Sequence, residues 1–149
     1  CATLYTKEYN PRPGLLSQTF TGSTSALRAG KLIIQKLIHE GYFGPQGKNM
    51  QLHDVIVEQL DQISRRHPCL IEGPYGTGVM IAFTPFKGQS VRVNEFIQKL
   101  FDAGVMGFVA GSDPTRVRFL IPFGAVTIKD IQEAMHIVEK TLLDYQPTI

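Results

Sequence analysis

The chain has 149 residues, with 15 Lys plus Arg against 13 Asp plus Glu, 43% hydrophobic residues and no Trp. These values are typical of one soluble domain that buries roughly 68–70% of the surface its unfolded chain exposes. The formal charge of +2 is not gathered into a basic tail, so we expect neither nucleic acid nor a membrane as partner. Because no apolar run approaches the roughly 18 residues of a membrane span and no signal peptide begins the chain, we expect a cytoplasmic protein.

The two cysteines lie far apart, at Cys1 and Cys69, with no Cys-x-x-Cys pair or Cys/His cluster. The sequence therefore predicts reduced thiols, no metal site, and Cys69 as a buried structural thiol. No nucleophile, base and orienting residue can be assembled, so no catalytic residue is predicted. Since the chain begins with Cys1 and not Met, we expect either processing or a piece of a longer protein.

The first half of the chain predicts an irregular arm followed by two helices. Residues 1–18 show neither helical nor strand periodicity, and we assign 19–149 to one domain. Several hydroxyl residues in 21–25 precede a helix that ends at Gly41, and a second helix runs from about 47 to 67 before Pro68. Apolar residues repeat along one face of each helix, namely Leu27, Ile33, Ile34, Leu37 and Ile38 in the first and Leu52, Ile56, Leu60 and Ile63 in the second.

The second half predicts strands mixed with helices. The glycine-rich stretch 73–78 indicates a turn, and 78–83 is a compact apolar run typical of a buried strand. Ser90 is expected to cap a helix that Gly104 closes, and 105–110 and 116–121 form an antiparallel hairpin. Thr127 and Asp130 open a last helix with a capping box. This order predicts an α+β fold: a small, mostly antiparallel sheet with helices packed on one face.

Two residues are candidates for binding. Thr19 lies in a hydroxyl-rich run before a helix N-terminus, where free N–H groups favour a phosphate, although the same residues could simply cap the helix. Arg118 alternates with Val117 and Phe119 on its strand, so it lies on the other face among apolar neighbours. This pattern leaves three alternatives for Arg118: it binds a carboxylate or phosphate ligand, it is a solvated edge-strand residue like Arg116, or it forms an internal ion pair with Asp or Glu.

The order of these motifs resembles the C-terminal part of class III pyridoxal-phosphate-dependent aminotransferases, which include the acetylornithine, ornithine and 4-aminobutyrate enzymes. The matching stretches are 18–26 ahead of the long helix, 76–81, 117–122 and 127–131, and they extend over nearly the whole chain. The resemblance implies the C-terminal domain of a fold-type I enzyme. It also implies that Thr19, with Gln18 beside it, contacts the phosphate of pyridoxal 5′-phosphate in the neighbouring subunit, and that Arg118 binds the substrate carboxylate.

The same resemblance implies what the chain lacks. The family's Schiff-base lysine lies in a large N-terminal domain. Nothing in residues 1–16 resembles that domain or its lysine. We therefore expect a homodimeric enzyme that moves an amino group from an amino acid to a 2-oxo acid. This chain would be a fragment of that enzyme, inactive and without bound cofactor when alone. An aminomutase or decarboxylase-like relative stays open, as does a stand-alone α+β ligand-binding or dimerisation module without cofactor.

Overall fold

The computed structural model describes residues 6–15, 19–20 and 22–145, and the chain falls into two compact units, Cys1–Tyr42 and Phe43–Ile149. In the first unit, a 3₁₀ turn at Lys7–Tyr9 precedes helix α1, Thr24–His39. Gly41 follows with a φ of 70°, a left-handed conformation that glycine adopts freely at the end of a helix. The predicted first helix and its end are therefore confirmed.

Helix α1 buries none of its residues. The apolar face predicted for it lies largely on the surface: Leu27, Ile33, Ile34 and Ile38 are exposed, as is the neighbouring Leu32, and Leu37 is half-buried. Contiguous apolar surface of this kind is typical of a region that another protein surface covers.

The second unit holds the sheet and three helices. Its helices are α2 (Lys48–Arg66), α3 (Ser90–Asp102) and α4 (Ile128–Asp144). Its strands are β1 (Ile71–Thr77), β2 (Met80–Pro85), β3 (Phe108–Ala110) and β4 (Arg116–Leu120). The strands form one antiparallel sheet in the order β1-β2-β4-β3, and β3 and β4 make the predicted hairpin. The expected α+β fold is confirmed.

The core lies between the sheet and the helices. Strands β2 and β4 alternate so that Ile81, Phe83, Val117 and Phe119 are buried, as period-two strand geometry requires. Helix α2 supplies its predicted apolar positions to the same cluster, and α3 and α4 contribute one buried face each; the residues are Leu52, Ile56, Leu60, Ile63, Val93, Phe96, Leu100, Ile131, Met135, Val138 and Leu142. The Phe83 ring centre lies 5.9 Å from that of Phe119. One sheet face is therefore filled by helices, and β4 presents its other residues on the opposite face.

Strand β1 occupies the stretch for which we predicted a turn, so that prediction was wrong. Its Gly and Pro residues are tolerated because β1 is an edge strand with a bulge between Glu72 and Tyr75. Gly76 has a φ of 120°, and a Cβ there would collide with the carbonyl oxygen of Met80. Glycine is thus required by close backbone approach within a strand, which sequence reasoning took for turn chemistry.

Two local predictions about single residues were also wrong. Ser90 is the first residue of α3 and does not cap it, because the N-cap position is Gln89 and no side chain accepts a hydrogen bond there. Cys69 is exposed. It lies in the turn after α2, where its φ is 69°, and the residue of that turn that packs into the core is Leu70. The capping box at Thr127 and Asp130 is confirmed.

Candidate carboxylate site on the outer face of the sheet

Arg118 lies in the middle of β4, where it pairs with Ala82 on β2 and with Phe108 on β3. Its two neighbours in sequence face the core, so its own side chain lies on the opposite side of the sheet. We call this side the outer face and define it by Tyr75, Ala82, Thr84, Phe108, Arg116, Arg118 and Leu120. The alternation predicted from the sequence therefore places Arg118 correctly.

The Arg118 side chain is half-buried, and its guanidinium group is incompletely satisfied by the described residues. Its Nε atom is buried and makes no hydrogen bond among the described residues, and its guanidinium carbon lies 6.0 Å from the ring centre of Phe108. A buried polar group without a partner costs about 1–3 kcal/mol, and more when it is charged. The fold thus holds a cationic donor beside an aromatic ring without satisfying it.

This geometry argues against both structural explanations of Arg118. The residue is not on an edge strand, because β4 lies between β2 and β3. It is not part of an internal ion pair either: across residues 6–15, 19–20 and 22–145, the salt bridges involve Lys36, Arg66 and His67 only. A planar guanidinium held in this way can grip a carboxylate with two parallel hydrogen bonds.

Arg116 is a residue that sequence reasoning missed. We took it for a solvated edge-strand arginine, but it lies on the same central strand, its Nε is buried without a partner, and it stacks 5.0 Å from the centre of the Tyr75 ring. Its spacing of two from Arg118 was the available signal, since alternate residues of a strand share a face.

Thr19 lies in the first unit, in an exposed turn ahead of α1, whereas Arg118 lies in the second. Gln18 falls outside the described residues. The N-cap of α1 is Ser23, whose hydroxyl makes no capping hydrogen bond and instead lies 3.1 Å from that of Ser25. The Ser23 side chain therefore does not cap the N–H groups in the first turn of α1.

The clear electrostatic cluster of the second unit lies elsewhere, at the junction of α2 and α4. Glu139 accepts hydrogen bonds from Arg66 at 2.8 and 2.9 Å and lies 3.0 Å from His67 Nε2. The hydrogen bonds from Arg66 lower the pKa of Glu139 below its ordinary value. This cluster joins α2 and α4 and contains no residue of the outer face.

Other classes of site find no support in the described ranges. Within them, no group of three or more His, Cys, Asp or Glu side chains is placed to hold a metal ion. No helix in the same ranges is long and apolar enough to cross a membrane.

Comparison with solved structures identifies the fold. The chain is similar to lysine aminotransferase from M. tuberculosis with a TM-score of 0.74 and 24% identity, over 90% of this chain and 29% of that one. It is similar to acetylornithine aminotransferase from Elizabethkingia anophelis (TM-score 0.72, 18% identity, 90% of this chain and 33% of that one). It is also similar to ornithine aminotransferase from Plasmodium yoelii, with a TM-score of 0.64 and 20% identity over 91% of this chain and 34% of that one.

Sequence comparisons add nothing to these matches. No protein-family model matches the chain, and none of the curated proteins matches it. The chain spans about a third of the length of the aminotransferases it resembles, which fits the expected match to their C-terminal part. At these identities the likeness establishes the fold: this chain has the fold of part of an aminotransferase.

Proposed function

We propose that this chain is the small C-terminal domain of a class III aminotransferase, which moves an amino group from an amino acid to a 2-oxo acid. The observation that carries the proposal is the guanidinium of Arg118 on the outer face of the sheet, which forms no salt bridge with any described residue and whose Nε has no hydrogen-bond partner among them, in a fold shared with three aminotransferases. Both substrates of such a reaction carry a carboxylate beside the reacting carbon. A guanidinium fixed on a central strand is suited to hold that group.

In this proposal Arg118 binds and orients the substrate. Two parallel hydrogen bonds from its guanidinium to the α-carboxylate fix both the position and the plane of the substrate. Holding a reactant in the reactive geometry contributes to rate because the entropy of alignment is lost on binding and not in the chemical step. The Phe108 ring beside the guanidinium restricts the directions in which Arg118 can move.

Thr19, with Gln18 beside it, is the residue that would hold the phosphate of pyridoxal 5′-phosphate in the active site of the neighbouring subunit. The fit rests on the exposed turn at Thr19 and on the first turn of α1, whose N–H groups are not capped by Ser23. The chemistry that the cofactor supplies when bound is an electron sink for charge that develops beside the amino group. Thr19 would anchor the phosphate and take no part in the transfer.

The remaining parts of the active site come from outside the chain. The family resemblance places the lysine that binds the cofactor in a large domain, so we propose that this chain is inactive and binds no cofactor alone. We further propose a homodimer and a cytoplasmic enzyme. The exposed apolar face of α1 supports the assembly, because it offers surface for the large domain or for a second subunit to cover.

A transamination assay on two proteins tests this proposal. The first is the chain alone, supplied with pyridoxal phosphate, an amino acid and a 2-oxo acid, for which we expect no turnover. The second is the longest gene product that contains the chain, for which we expect amino transfer. In that protein, Arg118→Gln should raise the KM for the 2-oxo acid about tenfold or more, since hydrogen bonds to charged groups are worth about 1.5–3 kcal/mol. Arg65→Gln, which removes an exposed charge on α2, is the matched control.

Each result separates the alternatives. Turnover by the chain alone contradicts the proposal that a second domain supplies the chemistry. No transfer by the longer product with any pair of α-carboxylate substrates, or an unchanged KM in Arg118→Gln, contradicts the aminotransferase assignment. A gene product that contains no lysine-bearing domain supports the stand-alone binding module instead.

A further inference from the structure

We propose that the site at Arg118 accepts acids with an apolar tail, and that Met80 and Leu120 bind this tail. The inference rests on the proposed function in one respect, since it takes Arg118 as the residue that binds the carboxylate. It adds two specificity-determining residues and a substrate class, namely amino acids and 2-oxo acids with an aliphatic side chain.

The register of the sheet places Arg118 in a row of side chains that crosses the outer face. Arg118 pairs with Ala82 on one side and with Phe108 on the other. Tyr75 pairs with Ala82 and completes the row. Paired residues of antiparallel strands share a face, with Cβ atoms about 4.5–5.5 Å apart. Across the sheet, Arg118 therefore has apolar or aromatic neighbours on both sides.

The next row along the strands is apolar and open. Leu120 lies two residues after Arg118 on β4, roughly 7 Å away on the same face, and it pairs with Met80 on β2. Leu120 is 58% exposed and Met80 is 50% exposed. This cross-strand pair is therefore within reach of a short carbon chain whose carboxylate is bound by the Arg118 guanidinium.

The row on the other side of Arg118 is filled. Thr84 of β2 is buried there, and it lies beside Arg116 because the preceding residue, Phe83, pairs with Val117. Arg116 is half-buried and stacks 5.0 Å from the ring centre of Tyr75. A tail directed toward this row would meet packed side chains and a cation. The open direction along β4 is therefore the one toward Leu120.

The residues around Arg118 favour an uncharged tail. Its own row and the row of Leu120 contain no acid among their paired residues. An ammonium group at the end of the tail would find no carboxylate in these rows and would lose hydration beside Met80 and Leu120. Methylene groups, in contrast, are stabilised when the same two side chains remove them from water. The two rows together therefore match an anionic head and an aliphatic tail.

The test is a nuclear magnetic resonance titration of the isotope-labelled chain with acetate, hexanoate and 6-aminohexanoate at constant ionic strength. The signals followed are the backbone amide of Arg118 and the methyl groups of Met80 and Leu120. We expect hexanoate to bind about tenfold more tightly than acetate, because Met80 and Leu120 remove about half of the surface of its four additional carbons from water. 6-Aminohexanoate should bind within about twofold of acetate.

Two substitutions and a matched control test the residues assigned to the tail. Leu120→Ser and Met80→Ser should each weaken hexanoate binding about threefold and leave acetate binding within about twofold. Val91→Ser on α3 removes an apolar side chain that is 72% exposed and should change neither affinity. Because the two residues lie on different strands, either variant is sufficient if the other does not fold.

The outcomes separate this inference from the proposed function. If hexanoate binds no more tightly than acetate while both shift Arg118, the tail site is wrong and the carboxylate role of Arg118 stands; Met80 and Leu120 are then surface for another protein to cover. If none of the three acids shifts Arg118, both proposals fail. 6-Aminohexanoate that binds as tightly as hexanoate overturns the aliphatic class. Hexanoate affinity that is unchanged in the serine variants overturns the role of Met80 and Leu120.

Discussion

Replacing Arg118 with Met should make the second unit more stable. Arg118 Nε is buried without a partner, and an unsatisfied buried donor costs about 1–3 kcal/mol. Met matches the aliphatic part of the arginine side chain and has no donor, so this cost disappears. The substitution also removes the cation–π contact with Phe108, which is 44% exposed, and such a contact is worth about 0.5–1 kcal/mol. The difference predicts a gain of about 1 kcal/mol in the free energy of unfolding.

Urea unfolding followed by far-ultraviolet circular dichroism measures this gain, since the chain has no Trp. With a slope of about 2 kcal/mol/M, the midpoint should rise by about 0.5 M. Arg65→Met on the exposed side of α2 should change stability by less than about 0.5 kcal/mol. If Arg118→Met lost more than about 1 kcal/mol while the control did not, the arginine would be a structural residue and the reasoning for a ligand site would fail.

Three further predictions concern the ion pair, a helix cap and the surface of α1. The pKa of Glu139 is lowered in the folded chain, chiefly by Arg66, so its stabilisation is complete above the unfolded pKa near 4.5 and is lost as the pH falls through the lower folded value. Unfolding experiments between pH 7 and 3 should therefore show Glu139→Gln less stable than the parent by about 0.5–1 kcal/mol at neutral pH, with the gap closing in acid; a gap that stays constant contradicts the linkage. Thr127→Ala should cost about 1 kcal/mol by thermal melting because it removes the capping box, whereas Ser90→Ala, which removes no cap, should cost less than half of that; equal losses would refute the assignment. The chain should self-associate in analytical ultracentrifugation, and Ile34→Glu on α1 should shift it toward the monomer; an unchanged distribution would show that this face is not the contact.

How far the sequence predicts the structure depends on whether the signal is local. The helices were predicted because apolar spacing and capping chemistry are read within a few turns, as the buried positions of α2 and the cap at Thr127 show. Strand β1 was missed because its identity comes from pairing with β2, which its own Gly and Pro residues do not encode.

The candidate site likewise has one feature that local sequence predicts and others that depend on distant strands. Alternation along β4 gives the face of Arg118, but whether that strand lies at the edge or the centre of the sheet depends on partners distant in sequence. Only the assembled sheet reveals that Arg116 shares the setting of Arg118, since burial of Nε and stacking on Tyr75 need β1 beside β2. The prediction therefore identified one arginine of a pair and assigned the wrong environment to the other.

The two proposed binding residues, Thr19 and Arg118, depend on assembly to different degrees. Arg118 is positioned by β4, whose core residues are buried within the second unit, so its position requires no partner. Thr19 precedes α1, a helix of 16 residues with no buried side chain, which is barely longer than the roughly 12–15 residues below which an isolated helix is marginal in water. Contact that covers α1 would therefore stabilise the helix whose N-terminus is to receive the phosphate. For this reason we expect carboxylate binding to be measurable in the chain alone, and phosphate binding at Thr19 to appear only when another surface covers α1.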